Sequence, residues 1–255
     1  MILALDVGNT RLSCGIFFKD QIISTFNYLN TKDLSEEKLI DFFEEEFKKN
    51  RIDKKQISKV VVCSVVPFLN QKIKKVCNDL LNKVPYFVSG ENNSILKINY
   101  ENTQKLGSDR IAAAVGAISL GLKENLIVVD MGTATTVDAI SKEKEFWGGA
   151  ILPGIKLMLN ALSKNTAQLP EIDINRPAKA CCNSTLECIN SGIYYCALGA
   201  IRELIMRYTN EKFNGKKPIV IATGGMSYLF EDEKIIDKIE KNLVLEGLNK
   251  IIKNS

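Results

Sequence analysis

The sequence repeats one strand–turn–strand pattern at two positions that lie about half a chain apart. Residues 3–17 read LALDVGNTRLSCGIF and residues 127–141 read IVVDMGTATTVDAIS. Each segment has an apolar strand, an aspartate, one apolar residue, a glycine and a polar cluster, after which apolar residues return. Two unrelated hairpins could share so short a phrase, because Gly-Asn pairs are ordinary turn material. The matched polar clusters favour duplication, and they predict two similar halves.

The rest of the chain alternates between strand and helix patterns. Residues 34–50 place apolar side chains at helical spacing behind Ser35, a candidate N-cap. Residues 59–67 have the continuous apolar character of a buried strand that ends at a proline. This alternation predicts an α/β chain with halves 1–118 and 119–255. Because no low-complexity linker separates the halves, we expect a tight interface with a cleft.

The absence of histidine restricts the chemistry that is available to the chain. A Ser-His-Asp triad, a Cys-His pair and a histidine-ligated metal are all excluded. Any general base must therefore be a carboxylate, a lysine, a tyrosine or a thiolate.

Charge and cysteine content bound the partners and the compartment. The net charge of +4 is spread along the chain, whereas nucleic-acid binding usually needs a clustered basic face. The seven cysteines include no C-x-x-C spacing, and the group at 181–196 fits no common zinc pattern. The start MILALDVGNT has no basic leader, and no apolar run approaches the roughly 18 residues of a membrane span. We expect a cytoplasmic protein that binds neither nucleic acid nor membrane.

Glycine turns follow apolar strands at residues 6–10, 130–136 and 223–225. Glycine lets backbone amides approach a ligand closely, so such turns are good anion cradles. Asp6 and Asp130 would repel a phosphate unless a cation lay between them, and magnesium suits that position. None of the turns matches the P-loop or the G-x-G-x-x-G fingerprint, so each is weak as a nucleotide motif by itself.

A further candidate feature is LGSDRIAAAVGA, residues 106–117. It places Asp109 and Arg110 at the start of a helix, where the positive end of the helix dipole should keep Asp109 ionised. By itself, the stretch favours an acid that stabilises a helix terminus, followed by a surface arginine.

Taken together, the motifs resemble those of the type III pantothenate kinase family. They are DVGNT at 6–10, GSDR at 107–110, DMGTATT at 130–136, GGAILPG at 148–154 and TGG at 223–225. The family belongs to the superfamily of acetate and sugar kinases, heat-shock chaperones and actin. The resemblance spans nearly the whole chain, and it implies two actin-like (ribonuclease H-like) halves with a nucleotide cleft. The implied activity is ATP-dependent phosphorylation of pantothenate, the first step of coenzyme A biosynthesis.

The resemblance also implies roles for individual residues. The ATP-binding residues would be Asp6, Val7, Gly8, Asn9, Thr10, Arg11, Leu12 and Ser13, together with Thr133. The substrate-binding residues would be Tyr100, Gly107, Ser108, Asp109, Arg110 and Thr185, the last acting across a homodimer interface. Asp109 would be the catalytic base, and Arg110 would hold pantothenate. Asp6 would lie near magnesium, an indirect ligand, and Asp130 would bind a monovalent cation, potassium or ammonium.

The chain departs from the family pattern at a few positions. Thr103, Ser184 and Cys188 replace the family's usual Pro, Asn and Ala, and Trp147 is a bulky neighbour of the glycine turn at 148–149. None of these changes removes a group that the reaction needs.

Two other readings stay open on the sequence alone. One is a superfamily kinase for a sugar or acetate, although an arginine beside the candidate base favours an acceptor that bears a carboxylate. The other is a non-catalytic regulatory protein on the same fold, since fold does not fix function. The presence of Asp6, Asp109 and Asp130 argues against an inactive scaffold.

Overall fold

The computed structural model describes residues 1–166, 169–170 and 172–255. Its strands are β1 (Ile2–Val7), β2 (Arg11–Phe18), β3 (Gln21–Leu29), β4 (Lys59–Ser64), β5 (Tyr86–Phe87), β6 (Lys97–Ile98), β7 (Leu126–Met131), β8 (Ala134–Ile140), β9 (Glu145–Pro153), β10 (Ile219–Thr223) and β11 (Lys238–Ile239). Its α-helices are α1 (Glu36–Lys49), α2 (Pro67–Leu81), α3 (Ser108–Ser119), α4 (Ile155–Asn165), α5 (Thr185–Glu211) and α6 (Leu243–Lys253). The predicted α/β class is confirmed.

The chain divides into a first unit, Met1–Leu122 with Asn242–Ser255, and a second unit, Lys123–Lys241. In the first unit the strands are ordered β3-β2-β1-β4-β5. Strand β1 pairs antiparallel with β2 and parallel with β4. In the second unit β7 takes the place of β1, pairing antiparallel with β8 and parallel with β10. The order β9-β8-β7-β10-β11 repeats that of the first unit, so the duplication predicted from the sequence is confirmed.

The C-terminal helix belongs to the first unit, whereas the expected division at residue 118 placed residues 242–255 in the second half. Helix α6 packs along α3 at very short range, and glycines make that approach possible. A Cβ at Gly247 would overlap the carbonyl oxygen of Ala112, and one at Gly116 would overlap that of Leu243. The contact supports α3 along its length and thereby helps to hold the residues at its N-terminus.

Each unit has its own apolar core. In the first unit, Leu39, Phe43 and Phe47 on α1 are buried, and the rings of Phe43 and Phe47 stack with centroids 5.7 Å apart. The predicted cap is present, because Ser35 accepts a hydrogen bond of 3.2 Å from the Lys38 N–H. In the second unit the core side chains come from β7, β8, β10, α4 and α5.

Two further findings concern membrane-spanning helices and disulfides. No helix in the described part of the chain combines the length and the apolar character that a bilayer-spanning segment requires. All seven cysteines lie within the described residues, and each is a free thiol.

Candidate active site

Asp6 lies at the carboxyl end of β1, at the centre of the first sheet. The register pairs it with Ser13 on β2 and with Cys63 on β4. The Cys63 thiol donates a hydrogen bond of 3.3 Å to Asp6 Oδ1. Burial, and secondly the charge of Asp109, raise the pKa of Asp6 to about 6, against smaller opposing effects of Cys63 and Arg11. A carboxylate in this environment favours a nearby cation.

The turn after β1 is tied down by its own backbone. The Gly8 N–H donates to Arg11 O at 2.9 Å, and the Thr31 hydroxyl donates to Gly8 O at 2.9 Å. The Asn30 N–H donates to Thr10 O at 3.0 Å.

The side chains of the predicted phosphate loop, residues 6–13, fall into two groups. Those of Asn9, Thr10 and Arg11 are exposed at the tip, whereas those of Val7 and Leu12 are fully buried in the core. The tip can therefore offer polar side chains to an anion, while Val7 and Leu12 can offer only their main-chain groups.

Ser108, the first residue of α3, joins that helix to the end of β4. Its hydroxyl oxygen accepts from the Ser64 N–H at 2.9 Å and donates to Ser64 O at 3.2 Å. The side chain is buried. Sequence reasoning proposed Ser108 as a substrate contact; in the structure its hydroxyl anchors the helix that carries Asp109.

Asp109 follows at the N-terminus of α3, with Gly107 as the N-cap. Its Oδ1 accepts a hydrogen bond of 2.8 Å from the Arg110 N–H. Burial raises the pKa of Asp109, and it outweighs the backbone amide groups and the Arg110 charge that act to lower it. The sequence analysis expected the helix terminus to keep Asp109 ionised, and it did not foresee the opposing effect of burial. The observed environment makes Asp109 a stronger base than an ordinary aspartate at a helix start.

Arg110 is buried, with 6% of its surface exposed, so the surface-arginine alternative is wrong. Its guanidinium carbon lies 5.8 Å from the ring centroid of Tyr100, at cation–π distance. Tyr100 itself is 37% exposed and lines an open, polar hollow of about 640 Å³ together with Glu101, Asn102 and Lys105. The structure thus brings together Asp109, Arg110 and Tyr100, which the resemblance had assigned to one substrate site.

Asp130 occupies in the second unit the position that Asp6 has in the first. The sheet register pairs it with Thr136 on β8 and with Thr223 on β10. In the turn that follows, the Gly132 N–H donates to Ala134 O at 3.0 Å. Thr133 is exposed at the tip of this turn, where its hydroxyl can reach a ligand.

The glycine turn at 223–225 lies directly against Asp130. Gly224 has φ +87°, and a Cβ there would lie 2.5 Å from Asp130 Oδ1 and 2.6 Å from the backbone nitrogen of Met131. The Met226 N–H donates to Met131 O at 3.2 Å, which fixes the turn beside β7. Sequence reasoning noted both turns but did not join them; the parallel pairing of β7 with β10 brings them together.

The residues present fit the cations that the family resemblance implies. Within the described residues, no group of three or more His, Cys, Asp or Glu side chains is arranged to hold a metal ion. Magnesium bound with a nucleotide needs only one or two carboxylates, since water and phosphate oxygens complete its shell. Asp6 offers one such carboxylate, and Asp109 is near enough for its charge to raise the pKa of Asp6. Asp130 offers a carboxylate oxygen to a monovalent ion, and the Gly224 backbone packs closely against that carboxylate.

Thr185 is the first residue of α5 and is exposed. Ser184 caps the helix by accepting a hydrogen bond of 3.4 Å from the Glu187 N–H, so the replacement of Asn by Ser keeps the cap. A groove of about 600 Å³ runs past this helix start; its lining residues are Leu162, Leu169, Asn183, Ser184, Thr185, Cys188, Ile189, Gly192 and Ile193. Cys188, the second departure, is part of that lining.

The other two departures from the family pattern are Trp147 and Thr103. The indole N–H of Trp147 donates to Glu145 at 3.1 Å, and its ring packs on Phe213 with centroids 5.7 Å apart. Thr103 begins a short 3-10 helix that ends at Lys105.

Comparison with known proteins shows which family the chain resembles. A family model described as type III pantothenate kinase matches residues 2–207. The type III pantothenate kinase of Legionella pneumophila (strain Corby) is 40% identical over 248 residues, which cover 97% of this chain and 96% of that protein. Type III pantothenate kinase 1 of Francisella tularensis subsp. holarctica (strain OSU18) is 41% identical over 248 residues, covering 97% of each.

Among solved structures, MreB5 of Spiroplasma citri bound to ADP has a TM-score of 0.56 at 12% identity, with 99% of this chain and 96% of that chain covered. This likeness concerns the fold alone, and it confirms the expected actin-like architecture. The family match over residues 2–207 and the near-complete coverage at 40% identity are decisive for membership. The chain belongs to the type III pantothenate kinase family.

Proposed function

We propose that the chain transfers the γ-phosphoryl group of ATP to the hydroxyl of pantothenate, giving 4'-phosphopantothenate for coenzyme A biosynthesis. The observation that carries the proposal is the pair formed by Asp109 and the buried Arg110 at the start of α3. A fixed guanidinium beside a carboxylate base suits an acceptor that bears both a carboxylate and a hydroxyl.

In this proposal Asp109 accepts the proton of the pantothenate hydroxyl. The acceptor oxygen then forms its bond to the γ-phosphorus while the bond from that phosphorus to the β–γ bridging oxygen breaks, and ADP leaves. Phosphoryl transfer depends mainly on positioning and charge stabilisation, so a modest base is sufficient. Arg110 binds the pantothenate carboxylate, and Tyr100 packs against both the arginine and the acceptor.

The nucleotide side of the proposal uses residues 6–13 and Thr133. The exposed tip of the first turn faces the phosphates, and Asp6 would hold magnesium as an indirect ligand. Magnesium would supply positive charge against the phosphate charge that develops during transfer. Asp130 would hold potassium or ammonium beside the glycine turn at 223–225.

The experiment that tests the function measures ADP release by the purified protein with ATP and magnesium. We expect release to require pantothenate, and we expect neither glucose nor acetate to replace it, because neither can engage both Asp109 and Arg110 as pantothenate does. Equal turnover without pantothenate would reject the substrate assignment. A protein that binds ATP but releases no ADP with any acceptor would support the non-catalytic reading instead.

Activity should depend on a monovalent cation at Asp130. Asp130→Asn removes the charge that holds the ion, and we expect the KM for ATP to rise by about tenfold, equivalent to roughly 1.4 kcal/mol of binding. The same variant should lose the response to added potassium. The measurement is a series of initial rates in potassium, ammonium and sodium buffers. A wild-type enzyme that is equally active in sodium-only and potassium buffers contradicts this role.

We further propose that the active unit is a homodimer in the cytoplasm. One side of α5 carries exposed, mostly small or apolar residues at helical spacing: Cys188, Gly192, Tyr195, Gly199 and Met206, with Arg202 among them. A Cβ at Gly192 or Gly199 would meet nothing within 4 Å, so this side of the helix is uncovered. A second copy of the chain could cover it and bring Thr185 to its partner's substrate. The free thiols suit a reducing compartment.

We expect a solution mass of twice 28.4 kDa, measured by light scattering. Gly199→Arg should shift the protein to monomer and lower activity, because a long charged side chain would stand where glycine lets a second copy approach α5 closely. Asp79→Arg, on the exposed side of α2, is the control and should leave the mass unchanged. A wild-type monomer with full activity contradicts the dimer.

A further inference from the structure

Cys63 places a buried thiol beside the candidate nucleotide site. It lies one residue before the end of β4, has 0% of its surface exposed, and is the register partner of Asp6 on the neighbouring parallel strand. Its thiol donates a hydrogen bond to Asp6 Oδ1 at 3.3 Å. Sequence reasoning counted Cys63 only as one of the free thiols.

Asp6 needs such a partner in order to keep one orientation. The torsion that rotates a carboxylate about its last carbon–carbon bond has broad preferences, so packing alone does not fix it. The charge of Asp109 acts on Asp6 as well, and repulsion between two carboxylates favours rotation of one away from the other. A donor held rigidly in the adjacent strand counteracts that rotation.

We infer that Cys63 is a positioning residue, whose thiol holds the Asp6 carboxylate toward the magnesium-bound phosphates of the nucleotide through the Sγ–H to Oδ1 hydrogen bond. The inference rests on the proposed function only in that Asp6 faces a nucleotide, and it does not depend on the identity of the acceptor. The neighbouring Ser64 anchors Ser108, and with it the helix that carries Asp109. The end of β4 therefore contacts Asp6 directly through Cys63, and it holds Asp109 in place through Ser64 and Ser108.

The first test measures the hydrogen bond directly by infrared spectroscopy of the S–H stretch in the whole protein. The Cys63 band is identified by its loss in Cys63→Ser. In Asp6→Asn the acceptor becomes a neutral amide, which accepts less strongly than a carboxylate. We expect the Cys63 band to move toward the frequency of a free thiol, while the band of the buried Cys77 stays in place. An unmoved Cys63 band overturns the inference.

The second test measures binding of Mg²⁺·ADP by calorimetry, without pantothenate. Cys63→Ala should weaken binding by about tenfold, the range for a hydrogen bond to a charged group. Cys63→Ser keeps a donor and should bind within about twofold of wild type. Cys77→Ala removes an equally buried thiol on α2 and should bind like wild type.

The double variant Cys63→Ala with Asp6→Asn separates positioning from general packing. If the thiol acts through Asp6, the double variant binds no more weakly than Asp6→Asn alone. Additive losses, or a Cys63→Ser variant as weak as Cys63→Ala, overturn the inference. If Cys63→Ala fails to fold, the serine variant and the infrared band still decide the matter. A wild-type protein that binds no ADP refutes the proposed function, whereas the infrared result still reports on the hydrogen bond.

Discussion

Asp109→Asn is expected to lower kcat by roughly 10²–10⁴, the usual span for the loss of a general base. The chain has no histidine, so a carboxylate is the natural acceptor for the hydroxyl proton. Asparagine keeps the size and the Oδ1 that accepts the Arg110 N–H bond, but it cannot take a proton. ATP binding should be nearly unchanged, because the nucleotide residues lie in other turns. Steady-state kinetics with each substrate varied in turn will measure both effects.

Arg110→Ala is the matched comparison at the adjacent residue. It removes binding that is shared by ground and transition states, so it should raise the KM for pantothenate with a smaller effect on kcat. Asp109→Asn should also lower the pKa of Asp6 below about 6, since the charge of Asp109 is one of the causes that raise it. An NMR titration of the Asp6 carboxyl group would detect this change. If Asp109→Asn turns over within a few-fold of wild type, the base lies elsewhere and Asp109 only stabilises the helix start.

The parts of the fold that depend on contiguous residues could be predicted from the sequence. The phrase around Asp6 and its echo around Asp130 encode a strand, a turn and a returning strand, so they predicted the paired β1–β2 and β7–β8 hairpins. Alternating strand and helix patterns predicted the α/β class, whereas the parallel partners of the central strands, β4 and β10, were seen only in the structure.

The partner of the last helix was not predictable in the same way. The pattern over residues 243–253 shows which side of α6 is apolar, but it does not show what that side packs against. The answer depends on Gly247 meeting Ala112 and on Gly116 meeting Leu243, two close approaches between segments far apart in sequence. A division into equal halves followed from the duplication, and it missed this return of the chain to the first unit.

The sequence predicted which residues form the candidate site, but it did not predict their burial, their pKa values or their hydrogen bonds. Asp109 and Arg110 were found from their motif, yet the burial of Arg110 and the raised pKa of Asp109 come from tertiary packing around α3. Ser108 shows the same limit, because a hydroxyl can serve a substrate or a neighbouring strand, and its bonds to Ser64 appear only in three dimensions.

Gly224→Ala should strongly disrupt the second unit, although it adds only one methyl group. Its φ of +87° is strained for any side chain, and the new Cβ would lie 2.5 Å from Asp130 Oδ1 and 2.6 Å from the Met131 backbone. Strand β7, which carries Asp130 and Met131, cannot move away without breaking its pairing with β8 and β10. We expect a loss of about 3 kcal/mol in the free energy of unfolding and a fall in Tm of about 6–12 °C, measured by calorimetry.

The variant also tests the site, because the Asp130 carboxylate must shift to make room for the methyl group. The KM for ATP should therefore rise, and the response to potassium should weaken, as in Asp130→Asn. Gly215→Ala is the matched control: Gly215 has φ +76°, but a Cβ there would meet nothing within 4 Å. Gly215→Ala introduces the backbone strain without the steric overlap, so it should lower the free energy of unfolding by only about 1 kcal/mol. If the two variants are equally stable and use ATP equally well, the close packing of Gly224 does not fix the position of the Asp130 carboxylate.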